Sequence, residues 1–185
     1  MNTVPDGCET QTRMVDLKVV GTNFWRGWYA TGTAHASNND NTLTGEFSGV
    51  YNSYYVFSLA GVTASFVTSV SLVAAYEANA TADPMETFSI WDVTTAATTV
   101  ENTAGINVPI HTDLMTGTSY GTQTLTAAQL GTTITIPLSA QAATDVKAKL
   151  GTDFVIGFHL DTPPGWIRFG NTAASTMRLE INYLP

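Results

Sequence analysis

The feature that most constrains this chain is a two-residue alternation of apolar and polar side chains that recurs down most of its length. In Met177-Arg178-Leu179-Glu180-Ile181-Asn182-Tyr183 every second side chain is apolar and those between are polar. Successive side chains of a β-strand point to opposite faces, so such a segment is a strand with one face in a core and one face wet. The same beat runs through residues 133–138, 70–76 and 154–160. A chain written this way must stack sheets, because each apolar face has to be covered by another layer.

Strands are predicted at about 16–20, 53–59, 68–76, 87–93, 119–126, 132–138, 153–160, 166–169 and 177–182, separated by Gly, Asn and Pro turns. That pattern reads as an all-β fold, an antiparallel β-sandwich of jelly-roll-like type. One segment follows a different period. From Ser139 to Leu150, Ala142, Ala143, Val146 and Leu150 share one helical face, Ser139 is placed to cap the start, and Lys147 and Lys149 precede Gly151 at the end. It is predicted to be one short helix closing an end of the sandwich. With no internal repeat, residues 16–185 are read as a single β-sandwich domain. Residues 1–15, with Pro5, Gly7 and little periodicity, are read as an extended N-terminal arm free to pack on a neighbour.

At 185 residues and 44% hydrophobic content the chain can bury a full core, hiding roughly 70% of its unfolded surface. Its 15 acidic and 7 basic residues leave a net charge of −8 with no Lys/Arg cluster. A nucleic-acid groove needs a basic footprint to neutralise phosphate, and an anionic membrane surface asks for the same, so neither partner is expected. Residues 54–76 are the most apolar stretch but are broken by Ser and Thr, and read as two strands rather than a membrane span. Residues 1–13 show no basic start followed by an apolar run, so no secretory signal is expected.

Motifs that carry chemistry are sparse. Cys8 stands alone, so no intrachain disulfide is expected, and no His pattern marks it as a nucleophile. His35, His111 and His159 are far apart and match no metal spacing, and His159 falls on the strand face opposite Phe158 and Leu160, which is read as solvent-facing. There is no G-x-S-x-G elbow. Asp83, Glu86, Asp92 and Asp113 could supply a glycosidase carboxylate pair, as could the acids of any β-protein this size. Asn38-Asn39-Asp40-Asn41 offers oxygen ligands, with Asn38 and Asp40 as a weak Ca²⁺ candidate, but it lacks the spaced acidic pattern and closing Glu and is read as an Asn-rich turn. No other cofactor or metal is expected. Residues 31–49 and 94–118 are long irregular stretches of the kind that are functional or mobile.

Phe24-Trp25-Arg26-Gly27-Trp28-Tyr29 is the most unusual local cluster. Trp25, Trp28 and Tyr29 are flat rings of the sort a sugar platform or an interface uses, and equally of the sort a sandwich core is made from.

The segments 27–35, 55–63 (YVFSLAGVT) and 86–94 (ETFSIWDVT), with Tyr120-Gly121 and Phe169-Gly170, resemble a bacterial surface or secreted β-sandwich domain of the kind found in PEP-CTERM-sorted proteins. The resemblance would cover about residues 21–183 and consists of strand and turn signatures. It implies the fold and carries no catalytic residues. The sorting motif, the C-terminal apolar helix and the basic tail of those proteins do not occur in this sequence.

Together these features point to a non-enzymatic structural subunit of a large assembly, most readily a bacteriophage virion protein that decorates a capsid or belongs to a tail. Its partners would be other copies of itself and other subunits. The alternative is a secreted or cell-surface carbohydrate or adhesion module with Trp25, Trp28 and Tyr29 as its platform.

Overall fold

The computed structural model of the chain describes residues 9–36, 40–80, 84–170 and 177–185. Alternation in the sequence becomes two antiparallel layers. The first is ordered β1 (Gln11–Asp16), β13 (Met177–Leu184), β7 (Phe66–Ala80) and β10 (Thr133–Pro137). The second runs β12 (Trp166–Phe169), β5 (Thr44–Glu46), β6 (Val50–Ser58), β11 (Asp153–Leu160), β8 (Met85–Asp92) and β9 (Ser119–Thr126), and β4 (Arg26–Ala30) also pairs with β6. Strand β7 joins the layers, because its last residues, Tyr76 to Ala80, pair with β12. A separate hairpin, β2 (Val19–Val20) and β3 (Asn23–Phe24), turns at Gly21, whose φ of 66° suits a residue without a Cβ.

The layers share one core. Tyr55 and Phe57 of β6 and Phe154, Ile156 and Phe158 of β11 pack with Leu72, Leu179 and Ile181 of the first layer. Phe88, Phe158 and Phe169 form a ring cluster with centroids 5.1 to 5.7 Å apart. In β13 the expected alternation holds: Met177, Leu179 and Ile181 are buried, whereas Arg178 and Glu180 are only half-buried. The all-β sandwich read from the sequence is therefore the fold. The predicted helix is α3 (Ala140–Ala148), with the Ser139 side chain accepting from the Ala142 N–H and Ala142, Ala143 and Val146 in the core.

Three expectations are corrected. The fold has not one helix but three among the described residues, because residues 94–118 contain α1 (Ala97–Asn102) and α2 (Val108–Asp113). The arm does not extend to residue 15: Gln11 to Asp16 pair with β13 of the same chain, and Val15 joins the core. Residues 1–8 of that arm lie outside the described residues. Finally, the second layer has no wet outer face in its middle, since Val100, Ile110 and Leu114 of the α1 and α2 region pack on Tyr54, Val56 and Val155. Strand β6 is consequently buried on both faces from Tyr51 to Phe57, as strands become when helices cover a sheet.

Candidate functional site

That covered outer face gathers most of the polar side chains of interest. Alternation along β6 sends Tyr55 and Phe57 inward to the sandwich core, so Asn52, Tyr54 and Val56 point to the helices. Strand β4 lies alongside and presents Tyr29 to the same cluster.

Asn52 sits between two histidines. Its Nδ2 donates to the backbone carbonyl of His111 at 3.0 Å, and its Oδ1 lies 2.9 Å from His159 Nδ1, which must carry the proton. His111 Nε2 is 3.1 Å from the Val50 carbonyl and 3.2 Å from Asn52 Nδ2, so a protonated nitrogen donates to Val50 and a bare one accepts from the amide. Burial lowers the affinity of both rings for a further proton, opposed by the Val50 carbonyl at His111 and by Asp161 at His159. His159 is thus on the outward face as predicted, yet half-buried and hydrogen-bonded rather than free in solvent.

Beside this group, the Tyr54 hydroxyl donates to Glu101 Oε2 at 2.9 Å, and the Tyr29 hydroxyl lies within 2.7 and 2.8 Å of the carbonyls of Val100 and Thr103. Glu101 is 1% exposed and its Oε1 has no hydrogen-bond partner among the described residues. Burial pushes this carboxyl up; the Tyr54 hydroxyl opposes the shift and Asp40 adds to it. His35 is stacked on Tyr29 with centroids 4.4 Å apart, and its backbone exchanges hydrogen bonds of 3.0 and 2.7 Å with Gly105. Arg26, itself 1% exposed, pairs with Asp40 at 2.7 Å and also donates to the Gly170 carbonyl.

The three aromatic candidates are at this face but do not form a platform. Trp25 and Trp28 are each 9% exposed and Tyr29 is fully buried. Trp25 and Tyr29 belong to the cluster under α1 and α2, and Trp28 packs edge-on to Tyr51 at 4.8 Å. An open sugar-stacking surface made of these rings is therefore ruled out by their burial, and the core reading prevails. Asp40, the one described member of the Ca²⁺ candidate, is engaged by Arg26, while Asn38 lies outside the described residues. Among the described residues no three His, Cys, Asp or Glu side chains are grouped to hold a metal.

An open cleft of about 350 Å³ lies where β8, β9, β11, α1 and α3 meet. Its rim carries Asp92, Thr94, Thr95, Thr118, Gln141 and Asp145. These carboxylates hold the structure together: Asp92 accepts from the Thr118 N–H at 2.6 Å, and Asp145 accepts from Tyr120 and Gln141, both at 2.9 Å. Of the four candidate glycosidase acids, Asp83 lies outside the described residues. Glu86 and Asp92 stand at opposite ends of β8, roughly 20 Å apart at the rise of a strand. Asp113 comes to the Asp92 end, where it accepts from the Thr94 hydroxyl and the Thr95 N–H, each at 2.8 Å.

Sequence reasoning missed one further cluster. Ser89 is the cross-strand partner of His159, and its hydroxyl donates to Asp161 at 2.9 Å while accepting from Trp91 Nε1 at 2.8 Å. Ser89 is buried and its proton is directed to the acid, so the histidine does not activate it. The only signal in the sequence was the polar beat of β8 and β11, which every outward strand residue shares.

No protein-family model matches the chain, and none of the curated proteins is similar enough to count as a relative. What can be stated of class is the all-β sandwich fold itself.

Proposed function

We propose that this chain is a non-enzymatic structural subunit of a large assembly, specifically a bacteriophage virion protein of the capsid-decorating or tail-associated kind. The observation that carries the reading is the use to which its polar chemistry is put. Arg26, Asn52, Tyr54, Glu101, His111 and the cleft carboxylates tie helices and loops to a sheet that is packed on both faces. Such a scaffold is stiff, and its surface is weakly charged, which favours close contact with neighbouring subunits over electrostatic capture. Several exposed apolar side chains sit on strands, with Met14 on β1, Val19 and Val20 on β2 and Phe66 at the start of β7, and others lie off them, among them Phe47, Ile106 and Val108. Side chains of this kind suit subunit contacts with other copies of the chain or other components. Residues 1–10, which precede the first strand, would add to those contacts.

One observation favours the second reading, a surface or secreted carbohydrate or adhesion module related to the PEP-CTERM-type domains. The cleft rim offers Thr94, Thr95, Thr118 and Gln141, hydroxyl and amide groups of the kind that hydrogen-bond sugars. The two readings separate in one pair of measurements. Mass spectrometry of density-purified particles from the source culture should find the chain at stoichiometric level, and light scattering should show self-association that grows with concentration. A chain absent from particles, monomeric at high concentration and retained on a glycan array would overturn the structural reading.

A further inference from the structure

Helix α1 has little reason to be a helix by itself. It has six residues, no side-chain cap at its start, no acid in its first turn and no base in its last. Helices this short are unstable alone and depend on tertiary contacts. Its contacts include the Val100 and Ala97 side chains against the cluster under the helices, the Tyr29 hydroxyl on the carbonyls of Val100 and Thr103, and the Tyr54–Glu101 hydrogen bond. The last of these involves a carboxyl that is 1% exposed, with one donor on Oε2 and, among the described residues, none on Oε1. An ionised carboxylate has about four acceptor sites and is costly to bury without donors, whereas the protonated acid needs far less.

We propose that Glu101 is a proton-operated latch: as the neutral acid it holds α1 and the following chain to Gly105 against the outer face of the sandwich, and on ionising it releases them.

The charged groups around the latch set its sense. Tyr54 of β6 donates to it and Tyr29 of β4 lies close by. Asp40 repels the ionised form, and Arg26 beside Asp40 is held in an ion pair with that residue. Lys18 attracts the charge but is already bonded to Asp153 of β11 at 2.5 Å and lies over the Trp25 ring at 3.8 Å. His35, which joins the same segment through Gly105, acts in the opposite direction, because charging its buried ring against Tyr29 is unfavourable in acid. Rising acidity therefore works against docking through His35, and rising pH works against it through Glu101. Release uncovers the face made by Trp25, Tyr29, Tyr54 and Val56. This inference is independent of the assembly reading.

Hydrogen exchange of the Val100 and Thr103 amides, bonded to the Ala96 and Thr99 carbonyls, and of the Gly105 amide, bonded to the His35 carbonyl, reads the latch directly. After correction for intrinsic rates, protection should fall by up to about tenfold per pH unit above the ordinary carboxyl range, levelling off once the docked carboxyl has titrated. Glu101→Gln, which keeps one donor–acceptor contact and cannot ionise, should lose that fall and retain only the rise in protection with pH that comes from neutralising His35. Equal pH profiles for the wild type and Glu101→Gln would overturn the proposal. Should the variant fail to fold, the carboxyl ¹³C titration of Glu101 in the wild-type protein decides: a midpoint at or below the ordinary glutamate value sinks the latch.

Discussion

Arg26 on β4 and Asp40 in the loop before β5 form an ion pair at 2.7 Å in which the guanidinium side chain is 1% exposed and the carboxylate side chain 31% exposed. The pair is lopsided: the cation is deep and the anion reaches in from the edge. Arg26 also donates to the Gly170 carbonyl at the end of β12, so one residue ties three separate segments. The Asn-rich turn that looked like an oxygen ligand set thus has its acid facing a buried arginine.

Removing the anion should be costly, because it takes the paired carboxylate away from a buried cation. Asp40→Ala should lower stability by about 3 kcal/mol. Arg26→Met combined with Asp40→Ala should recover part of that loss, since no charge is then buried. Urea unfolding of the two single variants and the double variant gives the coupling. Strict additivity would show that the two side chains do not act as a pair.

Chelation should leave the melting temperature unchanged, since Asp40 is already engaged by Arg26. A fall in melting temperature with EDTA, restored by Ca²⁺, would mean that the turn binds the ion after all.

In β13, Leu179 is fully buried opposite Leu72 and Val15, whereas Glu180 is half-buried opposite Ser71 and Met14. Leu179→Ala should cost about 2 to 5 kcal/mol, and Glu180→Ala well under half of that. Equal losses by chemical denaturation would show that the strand faces the other way.

Truncation separates the arm from the strand. Deleting residues 1–10 should leave the melting curve almost unchanged, whereas deleting residues 1–15 removes most of β1 and the buried Val15 side chain and should lower the melting temperature by several degrees. Identical melting of both truncations would place β1 outside the cooperative fold.

Acid stability follows from His111 and His159. Burial is the main cause of their lowered proton affinity, so the unfolded chain binds protons more readily than the folded one below the ordinary histidine value. Their contribution is present in full above about pH 6.5 and is lost as pH falls through the folded-state values. Glu101 has the opposite sign, because burial raises its carboxyl: its contribution is present below the ordinary glutamate value and lost as pH rises through the folded-state one. Denaturation midpoints in the Glu101→Gln background should therefore be level from pH 8 to about 6.5 and fall towards acid below it. A flat profile there would show that the imidazoles charge without cost.

The alternation of β13, β10 and β11 by itself determined that this chain is an all-β sandwich, and Ser139 with the apolar face behind it determined α3. These are local signals: period two and a capped amphipathic turn are written in neighbouring residues and need no distant partner. Helix α1 has no cap to read, and α2 shows only Asn107, whose side chain accepts from the Ile110 N–H, with Pro109 at its first turn. Both exist because the outer face of β6 needed covering, a demand that appears only after the strands have assembled. The same holds for the polar contacts. Arg26 and Gly170 are 144 residues apart, Asn52 and His159 are 107 apart, and Tyr54 and Glu101 are 47 apart. No spacing rule spans such intervals. Only the tertiary structure could decide that Trp25, Trp28 and Tyr29 are core rather than surface, because which face of a strand is buried depends on what the rest of the chain lays over it.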